Sequence, residues 1–459
     1  MSKKRIAIIG AGITGLSAAL HLARNDYDVH IFEKESSIGG LASGKIINDN
    51  IYEYGPHFFH TNNPKILLEI KEIAGDELID FERTILIKFL DDYFVYPLSI
   101  FEVLKKLPKK TVIFALLNLI KNNFIGIFIK PEIENSETIL LRHYGKILYE
   151  LFFKNYIYHV WGIYPDKFSP KFALERIPRI SGSIFLNKLI SPIRTRIGRK
   201  STKHFVENVD GDLYTTKLGY RGIMNKIAGN IENNGGKIHL NSEVKKIKII
   251  SGLVKEITIE AGEVYNFRID SLINTIPISK AVRMISQEEN EDLKESSKNL
   301  EFRALVFVGI LVNKPKILPV SFMYFREHSF NRIYDSSYFS HNTTLPDTTI
   351  LVAEISSSLE DRWWTDDKYC RKMVLHDLFR EDIIAREDIL EVNVYRYEYG
   401  YPIYKLGYEK HLENLLRYVE AIRNFQTAGR QGRFQYINGH IAMQMGFEAA
   451  TKITNNMDD

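Results

Sequence analysis

The spacing of apolar residues changes twice within the first 33 positions of the chain. Arg5–Ile9 is a short β-branched run, which is typical of a buried strand. The glycine-rich sequence GAGITG follows, and apolar residues then recur at helical spacing over residues 16–25. Residues 29–32 form a second apolar run. The order strand, glycine turn, helix and strand predicts one βαβ unit with parallel strands.

Helical spacing dominates the next part of the chain. Leucine, isoleucine and phenylalanine recur at intervals of three and four over residues 65–130 and 137–158, which predicts a helical insertion. Alternating apolar and polar positions then predict strands over residues 237–249 and 254–260. Residues 271–277, SLINTIP, are typical of a buried strand and a turn.

The last third of the chain predicts a sheet and a helical tail. Several alternating runs between residues 305 and 354 favour an antiparallel sheet. The tail begins with residues 424–429, NFQTAG, and its pattern predicts a helix over residues 440–455.

Composition narrows the class of protein. With 459 residues, 45% of them apolar, the chain can bury large cores. Its formal charge of +4 is too small for a protein defined by nucleic-acid binding, so we expect no nucleic-acid partner. Cys370 is the single cysteine, which excludes an internal disulfide and a cysteine-based zinc site. One cysteine also fits a reducing cytoplasm, the expected location.

Two stretches bear on contact with membranes. The basic start of the chain and its first apolar run resemble a secretory signal, but three glycines interrupt the run and no cleavage site follows. Residues 111–130 are apolar but contain Asn118, Lys121, Asn122 and Asn123, so they are too short to span a bilayer. We expect a buried or interfacial helix, which leaves contact with a membrane surface open.

The glycine turn carries the first functional signal. Gly10, Gly12 and Gly15 have the spacing G-x-G-x-x-G, which suits a tight turn, close approach to a pyrophosphate and close helix packing. The amides at the start of the helix then face the phosphates. Glu33 lies eighteen residues after Gly15, at the end of the second strand, where it can accept hydrogen bonds from ribose hydroxyls. The pattern predicts dinucleotide binding.

A second glycine pair, Gly39 and Gly40, could meet the same pyrophosphate from the other side, which NAD dehydrogenases seldom need. The sequence GAGITGLSAALHLA, followed by VHIFEKESSIGGLA, resembles the FAD-binding superfamily of amine oxidases, protoporphyrinogen oxidase, phytoene desaturases and UDP-galactopyranose mutases. This resemblance, rather than the spacing, implies FAD. The expected cofactor-binding residues are Gly10, Gly12, Ile13, Thr14, Gly15, Glu33, Lys34, Gly39, Gly40, Leu41, Gly55, His57, Val244, Gly429 and Arg430.

The predicted fold class is α/β, with a discontinuous Rossmann-type domain, an inserted helical region and an antiparallel substrate region. The expected boundaries are 1–65, 220–295 and 410–459 for the Rossmann-type domain, 66–205 for the mainly helical domain, and 206–219 with 296–409 for the antiparallel sheet.

Within the superfamily, later motifs resemble UDP-galactopyranose mutases. The segment YEYGPHFFHTNN is similar to their glycine and histidine motif, in which the histidine lies beside the isoalloxazine ring. That resemblance implies this position for His57, which follows Gly55. A histidine there can hydrogen-bond the flavin and tune its charge. Without the resemblance, His57 and His60 would more often be core residues.

Shorter matches imply a nucleotide-sugar site. Tyr156 and Trp161 have the spacing of the mutases' aromatic pair, whose tyrosine stacks on the uracil and whose tryptophan lines the sugar pocket. Core packing is the alternative for both. Two arginines and two tyrosines match groups that contact the substrate diphosphate, and arginine suits phosphate because it donates bidentate, charge-assisted bonds. The full set of implied substrate residues is Tyr156, Trp161, Arg176, Arg332, Tyr401, Arg430, Tyr436 and Asn438.

The chain also departs from that family. Asn438 stands where the mutases have an aspartate, and Arg179 lies one position away from their second arginine, although Arg176 is aligned. Residues 181–211 are longer and more basic than we expect from this resemblance. The tail RQGRFQYINGH also resembles bacterial flavoproteins related to protoporphyrinogen oxidase that are linked with polysaccharide synthesis.

Two enzymatic hypotheses follow from these resemblances. The first is a nucleotide-sugar pyranose/furanose mutase in surface polysaccharide biosynthesis, in which N5 of reduced FAD attacks the anomeric carbon and His57, Arg332 and Arg430 are the catalytic residues. It needs no dedicated acid/base pair, and its partner is a UDP-sugar. The second is an FAD-dependent oxidoreductase that oxidises a sugar, an amine or an isoprenoid. A binding protein with structural FAD is a third reading, and the sequence leaves a monomer and a homodimer open.

Overall fold

The fold is taken from a computed structural model. It describes residues 3–80, 84–89, 92–95, 105–125, 133–177, 212–285, 290–340 and 345–458. Arg179 and the basic stretch 181–211 lie outside the described residues.

The strands and helices are numbered in chain order. The strands are β1 (Arg5–Ile9), β2 (Asp28–Phe32), β3 (Gly44–Ile47), β4 (Asn50–Glu53), β5 (Phe59–His60), β6 (Ile79–Asp80), β7 (Ile85–Phe89), β8 (Asp92–Val95), β9 (Leu213–Thr215), β10 (Lys237–His239), β11 (Glu243–Ile250), β12 (Leu253–Ala261), β13 (Glu263–Arg268), β14 (Ser271–Asn274), β15 (Phe302–Val312), β16 (Phe322–Tyr324), β17 (Arg332–Asp335), β18 (Thr349–Ser357), β19 (Ile389–Pro402) and β20 (Phe425–Thr427). The helices are α1 (Ile13–Arg24), α2 (Pro64–Ala74), α3 (Lys109–Ile125), α4 (Ser136–Tyr149), α5 (Asn155–Trp161), α6 (Pro170–Arg176), α7 (Tyr220–Asn233), α8 (Ile278–Ile285), α9 (Glu291–Asn299), α10 (Arg362–Thr365), α11 (Asp367–Arg380), α12 (Tyr408–Glu420), α13 (Gly429–Gly432) and α14 (Gly439–Asp458).

A five-stranded parallel sheet joins three distant parts of the chain. Its order is β10-β2-β1-β14-β20, and every neighbouring pair is parallel. Ile6 and Ile8 pack in the apolar cluster that contains residues of α1, α7 and α14, whereas Ala7 and Ile9 pack with β11 and β12. Both faces are therefore covered, as an apolar run such as RIAII requires. This sheet confirms the predicted Rossmann-type fold with its discontinuous strands.

A seven-stranded sheet has the order β19-β15-β18-β17-β16-β7-β8 and confirms the predicted antiparallel region. Only one of its neighbouring pairs is parallel, that of β16 with β7. The helical prediction over residues 65–130 is wrong at β7 and β8. Ile85, Ile87 and Phe89 alternate with less buried residues, and pairing with β16 decides the conformation because neighbouring strands outweigh local spacing in so short a run.

Among the described residues, the helical prediction is correct at α2, α3, α4 and α5, whereas β6 is a further exception to it. Within the described ranges, every helix is too short or too polar to cross a bilayer. The division into three domains stays a prediction. What matters for function is the space that the elements leave between the carboxyl ends of the parallel strands and the seven-stranded sheet.

Candidate functional site

A cavity of about 500 Å³ lies between the two main sheets. Ile9, Phe32 and Thr275, at or just past the carboxyl ends of parallel strands, form one side, and β17 and β19 contribute Arg332 and Tyr401 to the other. In α/β sheets this carboxyl edge is the usual place for ligands. Its walls contain most residues that the sequence assigns to cofactor or substrate. These are Gly10, Gly12, Ile13, Thr14, Glu33, Lys34, Gly39, Gly40, Leu41, His57, Val244, Arg332, Tyr401, Arg430, Tyr436 and Asn438.

The first glycine turn has the geometry that its spacing predicts. Gly10 has a φ of +97°, which side chains rarely adopt. A Cβ on Gly15 would lie 2.0 Å from the Gly10 carbonyl oxygen, so only glycine allows α1 to approach the turn. A Cβ on Gly12 would meet nothing within 4 Å, because it would project into open space at the start of α1. That space suits a pyrophosphate facing the helix amides.

The second glycine pair, Gly39 and Gly40, packs against the first glycine turn. The Gly39 amide donates to the Ala11 carbonyl at 2.8 Å, and Gly39 has a φ of +106°. A Cβ on Gly40 would lie 3.4 Å from the Gly12 Cα. The two glycine segments are therefore in direct contact at the cavity wall, as the two-sided approach to a pyrophosphate requires.

Glu33 is fixed at the end of β2 by backbone amides. Its Oε2 accepts from the Ala11 amide at 2.8 Å, and its Oε1 accepts from the Glu35 amide at 3.0 Å. Burial raises the pKa of the carboxyl group, and the two amide bonds act in the opposite direction. The carboxylate is thereby held in the cavity wall, and its role as an acceptor for ribose hydroxyls stays a prediction. The open space at Gly12 and this acceptor together fit a dinucleotide.

His57 lies further along the cavity, between the glycine turns and the arginines. It follows Gly55, whose φ of +151° and close contact with the imidazole favour glycine, because a Cβ there would lie 3.0 Å from His57 Cε1. Enclosure in the cavity, with Arg332 and Arg430 nearby, lowers the pKa of His57 to about 3. The imidazole is therefore neutral at physiological pH and can donate one hydrogen bond while accepting another.

Arg332 and Tyr401 share one buried partner, Glu354. Arg332 and Glu354 are directly opposite each other on β17 and β18, and Arg332 donates to Glu354 Oε2 from Nη2 at 2.5 Å and from Nε at 3.2 Å. The Tyr401 hydroxyl donates to Glu354 Oε1 at 3.1 Å. Burial and the Glu354 carboxylate raise the pKa of Tyr401, so its hydroxyl stays protonated.

Tyr401 also belongs to an aromatic and cationic cluster. Its ring stacks on Tyr436 with centroids 5.2 Å apart, and Trp161 lies 5.7 Å from Tyr401 and 6.1 Å from Tyr436. The guanidinium carbons of Arg176 and Arg430 are 3.4 Å and 4.7 Å from the Tyr436 ring centroid. Arg430 also donates to the Ile437 carbonyl, which fixes the loop before α14. The structure thus brings together the predicted diphosphate residues.

Among the described residues, six predicted ones do not line the cavity: Gly15, Gly55, Tyr156, Trp161, Arg176 and Gly429. Tyr156 lies beside Arg326, with the guanidinium carbon 5.4 Å from its ring, and is absent from the cavity walls among the described residues. Its role in stacking on a base stays a prediction. Gly429 has a φ of +83°, and a Cβ there would lie 2.5 Å from Thr14 Oγ1, so it supports the glycine turn from behind. The Asn438 carbonyl accepts from the Ala442 amide at the start of α14.

The sequence also left Glu354 unpredicted, as it did the wall residues Tyr220, Thr275 and Tyr397. A signal was present, because Glu354 is the only charged residue of β18, TILVAEISS, in which every position is buried. A carboxylate in such a strand must have a partner, and none can be identified from the sequence without the register of β17.

Two protein-family models match separate parts of the chain. The model described as an NAD(P)-binding Rossmann-like domain matches residues 8–69, and that of the flavin containing amine oxidoreductases matches residues 198–378. Together with the cavity geometry, these matches confirm FAD as the cofactor.

Among curated proteins, a probable UDP-galactopyranose mutase from Klebsiella pneumoniae is 29% identical over 181 residues, which is 39% of this chain and 46% of that protein. A dTDP-fucopyranose mutase from Escherichia coli is 24% identical over 190 residues, 38% of this chain and 46% of that protein. The matched part therefore spans about half the length of these curated relatives.

Among solved structures, reduced UDP-galactopyranose mutase superposes with a TM-score of 0.80 at 19% identity, covering 99% of this chain and 94% of that chain. Putrescine oxidase bound to putrescine superposes with a TM-score of 0.63 at 14% identity, covering 99% of both chains. The chain has the fold shared by these flavin-dependent enzymes. As its sequence predicts, it is similar to the UDP-galactopyranose mutases in particular.

Proposed function

We propose that this protein is an FAD-dependent mutase that interconverts the pyranose and furanose forms of a nucleotide sugar. One observation carries the proposal: Arg332, Arg430, Tyr401 and Tyr436 line the same cavity as the dinucleotide turn, with His57 near both arginines. An oxidoreductase acting on an apolar substrate has no need of paired arginines there. The curated relatives named as mutases support the same reading.

The residues of the cluster suit a diphosphate leaving group. Arg332 and Arg430 offer charge-assisted hydrogen bonds to phosphate oxygens, and the Tyr401 hydroxyl is protonated and can donate. Arg176, stacked on Tyr436, adds a third positive charge at the edge of the cluster. Such preorganised groups stabilise negative charge that develops when the sugar is transferred, because they need no reorganisation during the reaction.

In the sugar-binding part of the mechanism, the protein positions the sugar next to the flavin. When bound and reduced, the flavin supplies a nucleophile, N5, for the anomeric carbon of the sugar. Trp161, behind the Tyr401 and Tyr436 rings, orders the aromatic face on which a sugar can lie. Neutral His57 adds no positive charge near the flavin and can hydrogen-bond either the cofactor or the sugar. A role in surface polysaccharide biosynthesis follows if the furanose product is a glycosyl donor.

The decisive experiment is an isomerisation assay. The protein is reduced with dithionite under anaerobic conditions and incubated with UDP-galactose, dTDP-fucose and other nucleotide sugars, and furanose products are separated by chromatography. We expect isomerisation of at least one substrate, with no net oxidation of the flavin and no activity before reduction. Failure with every nucleotide sugar, combined with flavin reduction by a sugar, amine or isoprenoid, would establish the oxidoreductase alternative instead.

A variant pair tests the arginine cluster. We expect Arg430→Ala to weaken binding of the active nucleotide sugar at least tenfold while FAD is retained, because a charge-assisted bond to phosphate is lost. Arg433→Ala is the matched control, since Arg433 pairs with Glu420 at 2.7 Å and lies outside the cavity walls. Equal losses of FAD and nucleotide-sugar affinity in Arg430→Ala would count against this assignment.

A further inference from the structure

A buried carboxylate lies directly behind the proposed diphosphate site. Glu354 is 4% exposed and lies in the middle of β18, opposite Arg332 on β17. Arg332 and Tyr401 are in the cavity wall, whereas Glu354 is not. An anion in the cavity would therefore contact the arginine and the tyrosine, with the carboxylate held immediately behind both.

The groups around this point carry charges of both signs. Arg332, Arg430 and Arg176 contribute three guanidinium groups, and Glu354 contributes one carboxylate. His57 is neutral because its pKa is lowered to about 3. Within this cluster, defined as these five residues, the Glu354 carboxylate offsets part of the positive charge of Arg332, to which it is hydrogen-bonded. Removing the carboxylate would make the cluster one unit more positive.

The two nucleotide forms that such a site meets differ by about one charge. A nucleoside diphosphate linked to a sugar carries two negative charges, because each phosphate has a single ionised oxygen. A free nucleoside diphosphate has a terminal phosphate whose second proton dissociates near pH 6, so it carries close to three charges at pH 7.5. A carboxylate held beside Arg332 therefore disfavours the free form more than the sugar-linked form.

We propose that Glu354 is a specificity-determining residue that makes the site prefer the sugar-linked diphosphate over the free nucleoside diphosphate. This inference rests on the proposed function, since it assigns the arginine cluster to a diphosphate. The carboxylate repels the additional negative charge of the free form. This repulsion is strong because burial reduces screening by water and salt. It also keeps Arg332 from holding the expelled diphosphate too tightly, which leaves that group free to recombine with the sugar.

Binding titrations test the proposal without relying on catalysis. Dissociation constants of UDP and UDP-galactose are measured by calorimetry at pH 7.5 for the FAD-loaded wild type and for Glu354→Gln, and the pair dTDP and dTDP-fucose is measured in parallel. For each pair we compare the affinity for the free nucleotide with the affinity for the nucleotide sugar. We expect the ratio of the first to the second to rise about tenfold in Glu354→Gln, because removing one negative charge favours the more highly charged ligand.

Two further variants test whether the charge of Glu354, rather than a structural effect of its replacement, sets the ratio of affinities. Glu354→Asp keeps the negative charge, so its ratio should stay close to that of the wild type. Glu391→Gln removes a carboxylate that accepts from Asn48 at 2.7 Å and lies outside the cavity walls, and it should leave the ratio unchanged. Far-ultraviolet circular dichroism and FAD content confirm that each variant is folded.

The possible failures are distinguishable. If the wild type binds neither nucleotides nor nucleotide sugars, the proposed function itself is wrong. If the wild type binds both forms but Glu354→Gln changes the two affinities by the same factor, Glu354 only positions Arg332 and this inference is overturned. A raised ratio in Glu354→Asp as well as in Glu354→Gln would also overturn it, because the charge would then be irrelevant.

Discussion

The charge state and hydrogen bonds of individual residues at this site depend more on their surroundings than on the type of side chain. Glu33, Glu354 and His57 are all titratable groups in or beside one cavity, yet they have different tasks. Two backbone amides hold Glu33 in place as a hydrogen-bond acceptor. Arg332 and Tyr401 donate hydrogen bonds to the carboxylate of Glu354. Enclosure near two arginines keeps His57 neutral. The sequence predicts Glu33 from its spacing, whereas the state of His57 depends on arginines 275 and 373 positions away.

The neutral state of His57 leads to a pH dependence of stability. Below its ordinary pKa of 6.5 the unfolded chain binds a proton that the folded protein excludes, so the free energy of unfolding falls as the pH decreases from 6.5 towards 3. We expect the FAD-free wild type to lose about 1 to 2 kcal/mol more than His57→Gln between pH 7.5 and pH 5. Urea denaturation at both pH values measures this difference.

The control for that experiment is His376→Gln. The His376 side chain is 64% exposed and lies 3.4 Å from Asp377, so this variant controls for the removal of one histidine outside the cavity walls. Equal pH dependences in the wild type and His57→Gln would mean that His57 binds its proton as readily in the folded protein as in the unfolded chain.

At the scale of elements, the sequence predicts those whose pattern is local. The βαβ unit, the strand within residues 271–277 and the tail helix all follow from spacing and glycine positions, and the structure contains β1, α1, β2, β14 and α14 there. The prediction fails at β7 and β8, whose conformation depends on β16, more than 200 residues away. Glu354 was missed for the same reason, because only the register of β17 and β18 pairs it with Arg332.

The contact between α1 and α14 gives a prediction at this scale. A Cβ on Gly446 of α14 would lie 2.3 Å from the Thr14 carbonyl oxygen and 3.0 Å from Ser17 Cβ. Gly446→Ala should therefore push α14 away from α1, lower the free energy of unfolding by about 1 to 3 kcal/mol and weaken FAD binding, because both helices begin at the cavity.

Gly229→Ala provides the matched control, since Gly229 lies within α7 and a Cβ there would meet nothing within 4 Å. Alanine should stabilise that helix by about 0.5 to 1 kcal/mol. Thermal unfolding and fluorescence titration with FAD measure both variants. If Gly446→Ala is as stable as Gly229→Ala, the helices do not pack as closely as the structure indicates.

For the whole molecule, the cofactor connects parts of the chain that are far apart in sequence. Residues from β1, β2, the segment after β14 and the loop before α14 all line the cavity. We expect FAD at 100 times its dissociation constant to raise the free energy of unfolding by about 2.7 kcal/mol. Hydrogen exchange should show added protection in β1, β14 and β20 together. Added protection of the βαβ unit alone would contradict a single cooperative site.

The strand order of the parallel sheet also constrains when the protein can become functional in the cell. β1 and β2 leave the ribosome early, but β20, at the outer edge beyond β14, is synthesised about 390 residues after β2. At roughly 5 to 20 residues per second, that delay is on the order of 20 to 80 seconds. During this interval the apolar faces of β1 and α1 lack the tail helix that covers them. We therefore expect the complete cofactor cavity to form only after the tail has been synthesised, because Arg430, Tyr436 and Asn438 line it.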